Sequence, residues 1–301
     1  MQRAVERWTV RRILEWTTAF FTRKSVDAPR LSAELLLSHV LSQPRIRLYT
    51  DYERPLSEAE LTAYRDLVKR AGEQEPIAYL TGKAYFFSLE FDVTRDVLIP
   101  RPDTETLVEN VLQTARMETG KESPRVLDLC TGSGCIACAI AKQLKTAEVL
   151  AVDISPAAVA VARRNAEKLG LADRVIIEQG DLYEPLSRVV DPRPFDLIVA
   201  NPPYIASNDI PNLDRSVRDY EPVSALDGGP DGFDLHRRIL DQADDRLVPG
   251  GRIYLEIAYD QGERALAMMS GYDALEGAII LKDYGGNDRV VTAKRKLQST
   301  G

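Results

Sequence analysis

The sequence predicts a chain in two parts, a helical N-terminal module and an α/β domain built on a doubly wound parallel sheet. Three observations point there. About 75 opening residues show helical amphipathicity and contain no glycine loop. From Arg125 onward strand and helix patterns alternate, which implies parallel strands joined by crossover helices. Gly132 and Gly134 then stand in a tight turn between the first of those strands and the helix that follows it.

The helical part is read from three segments. "RAVERWTVRRILEWTTAFF" offers Trp8, Ile13, Trp16 and Phe20 as inner positions, and "DAPRLSAELLLSHVL" offers Leu35, Leu36, Val40 and Leu41. In "LSEAEL" Ser57 and Glu60 have the spacing of a capping box, so a third helix starts there. Alternating and aromatic residues from Tyr85 to Val93 predict a hairpin that joins the two parts. Pro100 and Pro102 stiffen the approach to a helix at "DTETLVENVLQTA", with Asp103 or Thr104 as its N-cap. The expected division is a helical domain over 1–83, a hairpin linker over 84–98 and a catalytic domain over 99–301.

Within the α/β part, "RVLDL", "AEVLAVD", "RVIIEQGD", "FDLIVAN" and "GRIYLEIA" read as strands. The helix "SPAAVAVARRNAEKLG" carries Ser155 as cap, Pro156 at its first position and Gly170 beyond its end. "GAIILKD" and "DRVVTAK" read as a closing hairpin on the sheet.

Composition narrows the function classes. With 44% apolar and 28% charged residues the chain is an ordinary globular protein. No apolar run approaches the roughly 20 residues of a membrane span, so no membrane contact is expected. "MQRAVERWTVRR" is too charged for a secretory signal, and a cytoplasmic location is expected. Residues 1–84 hold 14 Lys and Arg against 11 Asp and Glu, a charge of +3, and the remainder holds 25 against 35, a charge of −10. An acidic catalytic part disfavours broad contact with a phosphate backbone, so no direct nucleic-acid partner is expected. Cys130 and the Cys135-x-x-Cys138 pair lack a second ligand pair and read as small apolar filler rather than a redox or zinc site. His39 and His236 lie far apart on helix-like segments and read as packing or surface residues. No metal is expected.

Two stretches carry chemistry. "VLDLCTGSGCIA" places a glycine turn before a helix N-terminus, where free N–H groups suit a negative group. Asp153 ends the next strand about 20 residues later, where its carboxylate can accept ribose hydroxyls. Alone this is ambiguous, because Gly132-x-Gly134-x-x-Ala137 also fits the relaxed dinucleotide fingerprint. Asp181 and Leu182 follow the third strand, where an adenine edge could sit. The fourth strand, "FDLIVA", runs into Asn201, Pro202, Pro203 and Tyr204, for which a nicotinamide enzyme has no evident use.

Taken together these residues resemble a Rossmann-type class I methyltransferase using S-adenosylmethionine, with S-adenosylhomocysteine as product. "YLTG", "IPRPDTE", "DLCTGSG", "AVDISPAAVAVARRNA", "NPPYI", "YEPVSALDGGPDG" and "DYGGNDR" resemble the PrmC/HemK family of release factor glutamine methyltransferases across essentially the whole chain. The resemblance implies N5-methylation of the glutamine in the Gly-Gly-Gln loop of class 1 peptide-chain release factors, with the helical module helping to grip that protein. Alternatives are a ribosomal-protein glutamine methyltransferase or an adenine-N6 nucleic-acid methyltransferase. A monomer is expected.

Residue by residue, the resemblance places the cofactor loop on Cys130, Thr131, Gly132, Ser133 and Gly134, the ribose acid on Asp153 and the adenine neighbour on Leu182. Asn201, Pro202, Pro203 and Tyr204 take the substrate, with Asn201, Pro202 and Tyr204 catalytic and Asn201 also beside the cofactor. Cys130 departs from the family's usual glycine and crowds the turn slightly, yet cofactor binding should survive. Arg101, Thr104 and Glu105 are placed near the cofactor, and Glu221 and Pro222 along the protein-substrate channel. The expected chemistry has the Asn201 side-chain oxygen and the Pro202 carbonyl accepting the two N–H groups of the target amide. Tyr204 lies against its plane.

Overall fold

The computed structural model describes residues 7–117, 123–188 and 193–297. The chain divides into two compact units, Met1–Lys83 with Asp214–Tyr220 and Ala84–Leu213 with Glu221–Gly301.

In the first unit, helices α1 (Val10–Arg23), α2 (Pro29–Leu41), α3 (Arg45–Thr50), α4 (Glu58–Gly72) and α5 (Ile77–Thr81) close over an apolar core. α1 buries Val10, Ile13, Leu14, Thr17 and Phe21. The inner line therefore differs from the predicted one. Trp16 stays 47% exposed and stacks on Phe20 with ring centroids 5.4 Å apart, while Trp8 and Phe20 are only half-buried. On α2 the buried positions are Ala33, Leu36 and Leu37, and Leu35, Val40 and Leu41 lie at the margin. Glu34 is also buried there, where Arg30 and Arg45 each donate to it at 2.6 Å. Tyr64 of α4 donates to the Ala33 carbonyl at 3.1 Å and locks the two helices in register. The capping box at Ser57 is present: the hydroxyl accepts from Glu60 N, and the Glu60 carboxylate accepts from Ser57 N at 2.8 Å.

The second unit opens with the predicted hairpin, β1 (Lys83–Phe86) and β2 (Leu89–Asp92), whose Phe86 and Phe91 are buried in the main core. A short 3-10 turn, Pro102–Thr104, leads into α6 (Glu105–Met117). No side chain caps that turn, and Thr104 is buried. The proposed cap at Asp103 or Thr104 thus gives way to a hydroxyl held inside the protein.

Alternation then follows as predicted: β3 (Arg125–Leu129), α7 (Cys135–Gln143), β4 (Glu148–Asp153), α8 (Pro156–Lys168), β5 (Val175–Gln179) and β6 (Phe195–Ala200). After a short helix α9 (Arg215–Arg218), which belongs to the first unit, come α10 (Asp234–Arg246), β7 (Leu247–Glu256), α11 (Gly262–Ser270), β8 (Leu275–Lys282) and β9 (Asp288–Arg295). Seven strands form one sheet in the order β5-β4-β3-β6-β7-β9-β8. The five from β5 to β7 are parallel, and β8 and β9 add the antiparallel edge. One face packs on α6, α7 and α8, the other on α10 and α11. β6 is buried at every position, Asp196 included, as a central parallel strand covered on both faces requires.

Order along the sheet reverses between β3 and β6. β3 is followed by β4 and β5 on one side, and β6 by β7 on the other. A crevice opens at the carboxyl ends of strands where such a reversal occurs.

Ser57→Ala removes the cap of α4 and is expected to lower stability by about 1 kcal/mol, read as a lower urea midpoint at unchanged slope.

Candidate active site

The cleft at that reversal has about 980 Å³ of empty space out to its mouth. Gly132, Asp153, Leu182, Asn201, Pro203 and Arg238 are among the residues that line it.

Register brings its two halves together. Leu129 of β3 pairs with Ala200 of β6, so Cys130 and Asn201 leave the sheet side by side. Leu129 also pairs with Val152 of β4, which sets Asp153 next to the turn. Asp153 braces that turn directly. One carboxylate oxygen accepts Gly132 N at 2.8 Å and the other accepts Ser155 N at 2.9 Å. Burial raises its carboxyl above the usual range, and the two N–H groups oppose the rise. Each oxygen keeps a further lone pair for a ligand hydroxyl.

Cys130 (φ 58°), Gly132 (φ 56°) and Gly134 (φ 78°) all take the left-handed conformation. Cys130 bears the strain of a side chain there, about 1–2 kcal/mol. A methyl group on Gly132 would meet open space, whereas one on Gly134 would press on Ala162 of α8 at 3.1 Å. Gly132 therefore keeps the cleft open, and Gly134 lets two helices approach. Burial raises the Cys130 thiol, as it does Cys135 and Cys138, so all three are protonated thiols at neutral pH. Among the described residues no cluster of His, Cys, Asp and Glu could hold a metal ion.

Asp128, one residue before the end of β3, is fully buried and was not singled out in the sequence. It accepts the Thr131 hydroxyl at 2.6 Å and Ala137 N at 3.2 Å, tying the turn to α7. Burial pushes its carboxyl up to about 7. Asn165 of α8 donates to the Ser133 carbonyl and exchanges two hydrogen bonds with the backbone of Asp92, so the hairpin is fixed to the same turn.

The strand-end motif is held from behind and from the side. Asn201 Nδ2 donates to Thr104 Oγ1 at 3.3 Å. Tyr204 donates through its hydroxyl to Glu256 at 3.5 Å, and its carbonyl accepts Gln261 Nε2 at 2.8 Å. Ile205 N donates to Leu226 O at 3.0 Å, and Gly228 N donates back to Ile205 O at 2.8 Å. A methyl on Gly228 would lie 2.7 Å from the Pro203 carbonyl and 2.8 Å from Tyr204 Cα. The glycines of "DGGPDG" are thus required by a backbone strap laid against the motif.

Of the residues placed near the cofactor by resemblance, Arg101 and Thr104 line the cleft, and Glu105 does not. Its carboxylate accepts Phe87 N at 2.7 Å and steadies the hairpin turn. Glu221 is buried, ion-paired with Arg101 and accepting Ile99 N at 3.2 Å. It anchors the "IPRP" segment. Leu182 is buried at the cleft with φ 50°, and beside it Asp181 pairs with Arg238 at 2.7 Å.

The two histidines separate. His39 is exposed, and His236 is fully buried, its Nε2 2.8 Å from the Glu256 carbonyl oxygen. Burial lowers its imidazole to about 4, so it packs as a neutral ring.

Sequence reasoning missed Glu256, which ends β7, is almost fully buried, and has one carboxyl oxygen without a partner among the described residues. Burial pushes this carboxyl up to about 7, opposed by the neighbouring Thr104 hydroxyl and Arg289 guanidinium. The signal was available: in "GRIYLEIA" an acid follows the apolar run Ile253, Tyr254 and Leu255, as Asp153 follows Val149 to Val152 in "AEVLAVD".

The α/β unit is that of a methyltransferase. Residues 102–213 match the family described as "Methyltransferase small domain", and residues 12–82 match "PrmC N-terminal domain". A release factor glutamine methyltransferase from Geobacter sulfurreducens is 45% identical over 286 residues, covering 95% of this chain and 96% of that one. One from Rhodopirellula baltica is 41% identical over 292 residues, covering 96% and 97%. A solved methyltransferase from Pyrococcus furiosus is 17% identical, with a TM-score of 0.49, over 76% of this chain and 98% of that one. The chain belongs to the release factor glutamine methyltransferase family.

Gly228→Ala is expected to cost about 1–3 kcal/mol, because backbone atoms on both sides must move. The urea midpoint reads this loss, and an unchanged midpoint would show that the strap does not bear on the motif.

Proposed function

We propose that the protein transfers a methyl group from S-adenosylmethionine to the side-chain nitrogen N5 of the glutamine in the Gly-Gly-Gln loop of class 1 release factors. The observation that carries this reading is the match of the whole chain, helical unit included, to relatives named for that activity. In this reading the helical unit of residues 1–83 grips the release factor, the hairpin of 84–98 links, and residues 99–301 carry catalysis. The enzyme acts as a monomer in the cytoplasm and on protein rather than nucleic acid.

The cleft fits the donor. It is an open cleft at the carboxyl ends of the strands, the place where ligands bind in such sheets. Gly132 leaves room for a ligand against the main chain, in the loop Cys130–Gly134, and Asp153 presents lone pairs where ribose hydroxyls would lie. Leu182 supplies an apolar edge for adenine. Bound there, S-adenosylmethionine supplies an electrophilic methyl group on a sulfonium.

The protein's task is to present the amide. Its nitrogen is a poor nucleophile because the lone pair is shared with the carbonyl, the delocalisation that makes C–N rotation cost about 18–20 kcal/mol. The Asn201 side-chain oxygen and the Pro202 carbonyl each accept one N–H and draw electron density onto the nitrogen as positive charge develops. Pro202 and Pro203 fix φ, contribute no competing donor and bar Asn201 from helical geometry. Tyr204 lies against the planar amide and excludes water. Such fixed geometry can lower a barrier by about 7–11 kcal/mol. The methylated amide then gives up its extra proton to water, and no strong base is needed.

Labelled donor incubated with a release factor, the same factor with that glutamine replaced, and duplex DNA tests the reading. Label is expected in the first alone. Label in DNA alone overturns the substrate, and label independent of the glutamine overturns the acceptor. Asn201→Ala is expected to abolish transfer with cofactor affinity within a few-fold of the parent. Asp153→Ala is expected to weaken cofactor binding first, measured by calorimetry, and unchanged affinity removes it from the ribose site.

A further inference from the structure

An asparagine side chain has an oxygen on one side and an amino group on the other, nearly equal in size. For Asn201 only one orientation presents an acceptor to the substrate amide. Period-two alternation along the strands shows what surrounds it. Val199 and Tyr254 face the α6 side of the sheet, while Ala200 and Leu255 face the other and pair across the ladder. Asn201 and Glu256, one step further along each strand, therefore return together to the α6 side. The turn into α6 sets Thr104 over them, buried, with Oγ1 3.3 Å from Asn201 Nδ2. Its hydroxyl is also a neighbour of the Glu256 carboxyl.

We propose that Thr104 and Glu256 are positioning residues that fix which way the Asn201 amide faces. The Thr104 hydroxyl directs its proton to the Glu256 carboxylate, and its oxygen is then left only to accept. Asn201 must turn its amino group to Thr104, and its oxygen is driven to the substrate side. The inference rests on the proposed glutamine chemistry for its effect on turnover, but the orientation itself is a property of the free protein.

The carboxylate can only accept a hydrogen bond, which is what makes the relay directional. Charged or titratable groups facing it are Arg289 from β9, Asp103 from the 3-10 turn, Tyr204 after β6 and the Cys135 thiol from α7. His236 from α10 meets its backbone carbonyl. Burial lifts the carboxyl to about 7. Below that pH Glu256 can itself donate to Thr104, whose proton is then free to attract the Asn201 oxygen and reverse the amide. Turnover should therefore fall on the acid side of about pH 7.

Thr104→Val keeps the shape and removes the hydroxyl. Its kcat toward a class 1 release factor is expected to fall by about a hundredfold, the scale of a misplaced reacting group, with KM and S-adenosylhomocysteine affinity within about threefold. Thr104→Ser should restore turnover to within about threefold of the parent, and Glu256→Gln should remove the acid limb of the kcat profile. In the ¹⁵N-labelled free protein, the Asn201 Nδ2 protons should exchange slowly in the parent and in Thr104→Ser and fast in Thr104→Val. Equal exchange in all three, a Thr104→Val enzyme within threefold of the parent, no rescue by serine, or an unchanged acid limb in Glu256→Gln each overturn the proposal. A parent protein that labels no release-factor glutamine sinks the proposed function instead, and the exchange measurement then decides the orientation on its own.

Discussion

The ladder between β3 and β6 is the constraint on which the site depends. Its register, Leu129 opposite Ala200, delivers the glycine turn and the Asn-Pro-Pro-Tyr motif to one point at the edge of the sheet. Side chains on a strand alternate between faces, so a slip of one residue would send Asn201 to the α10 side, away from Thr104. Burial on both faces makes such a slip costly, because every residue of β6 is buried. The precision of the site is thus inherited from apolar packing many residues away from any reacting atom.

Three acids, Asp128, Asp153 and Glu256, stand at or next to the carboxyl ends of buried strands. Each is lifted in proton affinity by burial, and each meets a different structural need. Asp128 ties the glycine turn to α7, Asp153 spans the turn and the start of α8, and Glu256 stands behind the strand-end motif. A buried carboxylate is costly unless it gathers hydrogen bonds. Here the donors it gathers are those of the loops that must be held still.

Much of the fold was legible because it rests on local signals. Apolar runs marked the parallel strands, Ser57 with Glu60 marked the start of α4, and Ser155, Pro156 and Gly170 framed α8. Gly132, Asp153 and Asn201, which line one cleft, could be picked out because each sits at or just after a strand end with a distinctive neighbour. What stayed hidden was contact between distant residues. Glu221 meets Arg101 across 120 positions, and Thr104 meets Asn201 across 97. Trp16 misled for a related reason: helical spacing defines a stripe but not its edge, and the buried line ran through Val10, Leu14 and Phe21 instead. The strap of Gly228 was visible as a glycine-rich stretch, yet nothing in its composition said that the Pro203 carbonyl lay against it.

The two adjacent prolines also govern how the site can be watched. Neither carries an amide proton, so backbone hydrogen exchange is silent at the centre of the turn. Any opening of that turn has to be followed at its downstream hinge, where Ile205 donates to Leu226 and Gly228 donates back. Those two amides sit on opposite sides of one backbone bridge, so they should lose protection together, as one cooperative unit. The motion of the motif is therefore reported by amides just outside it.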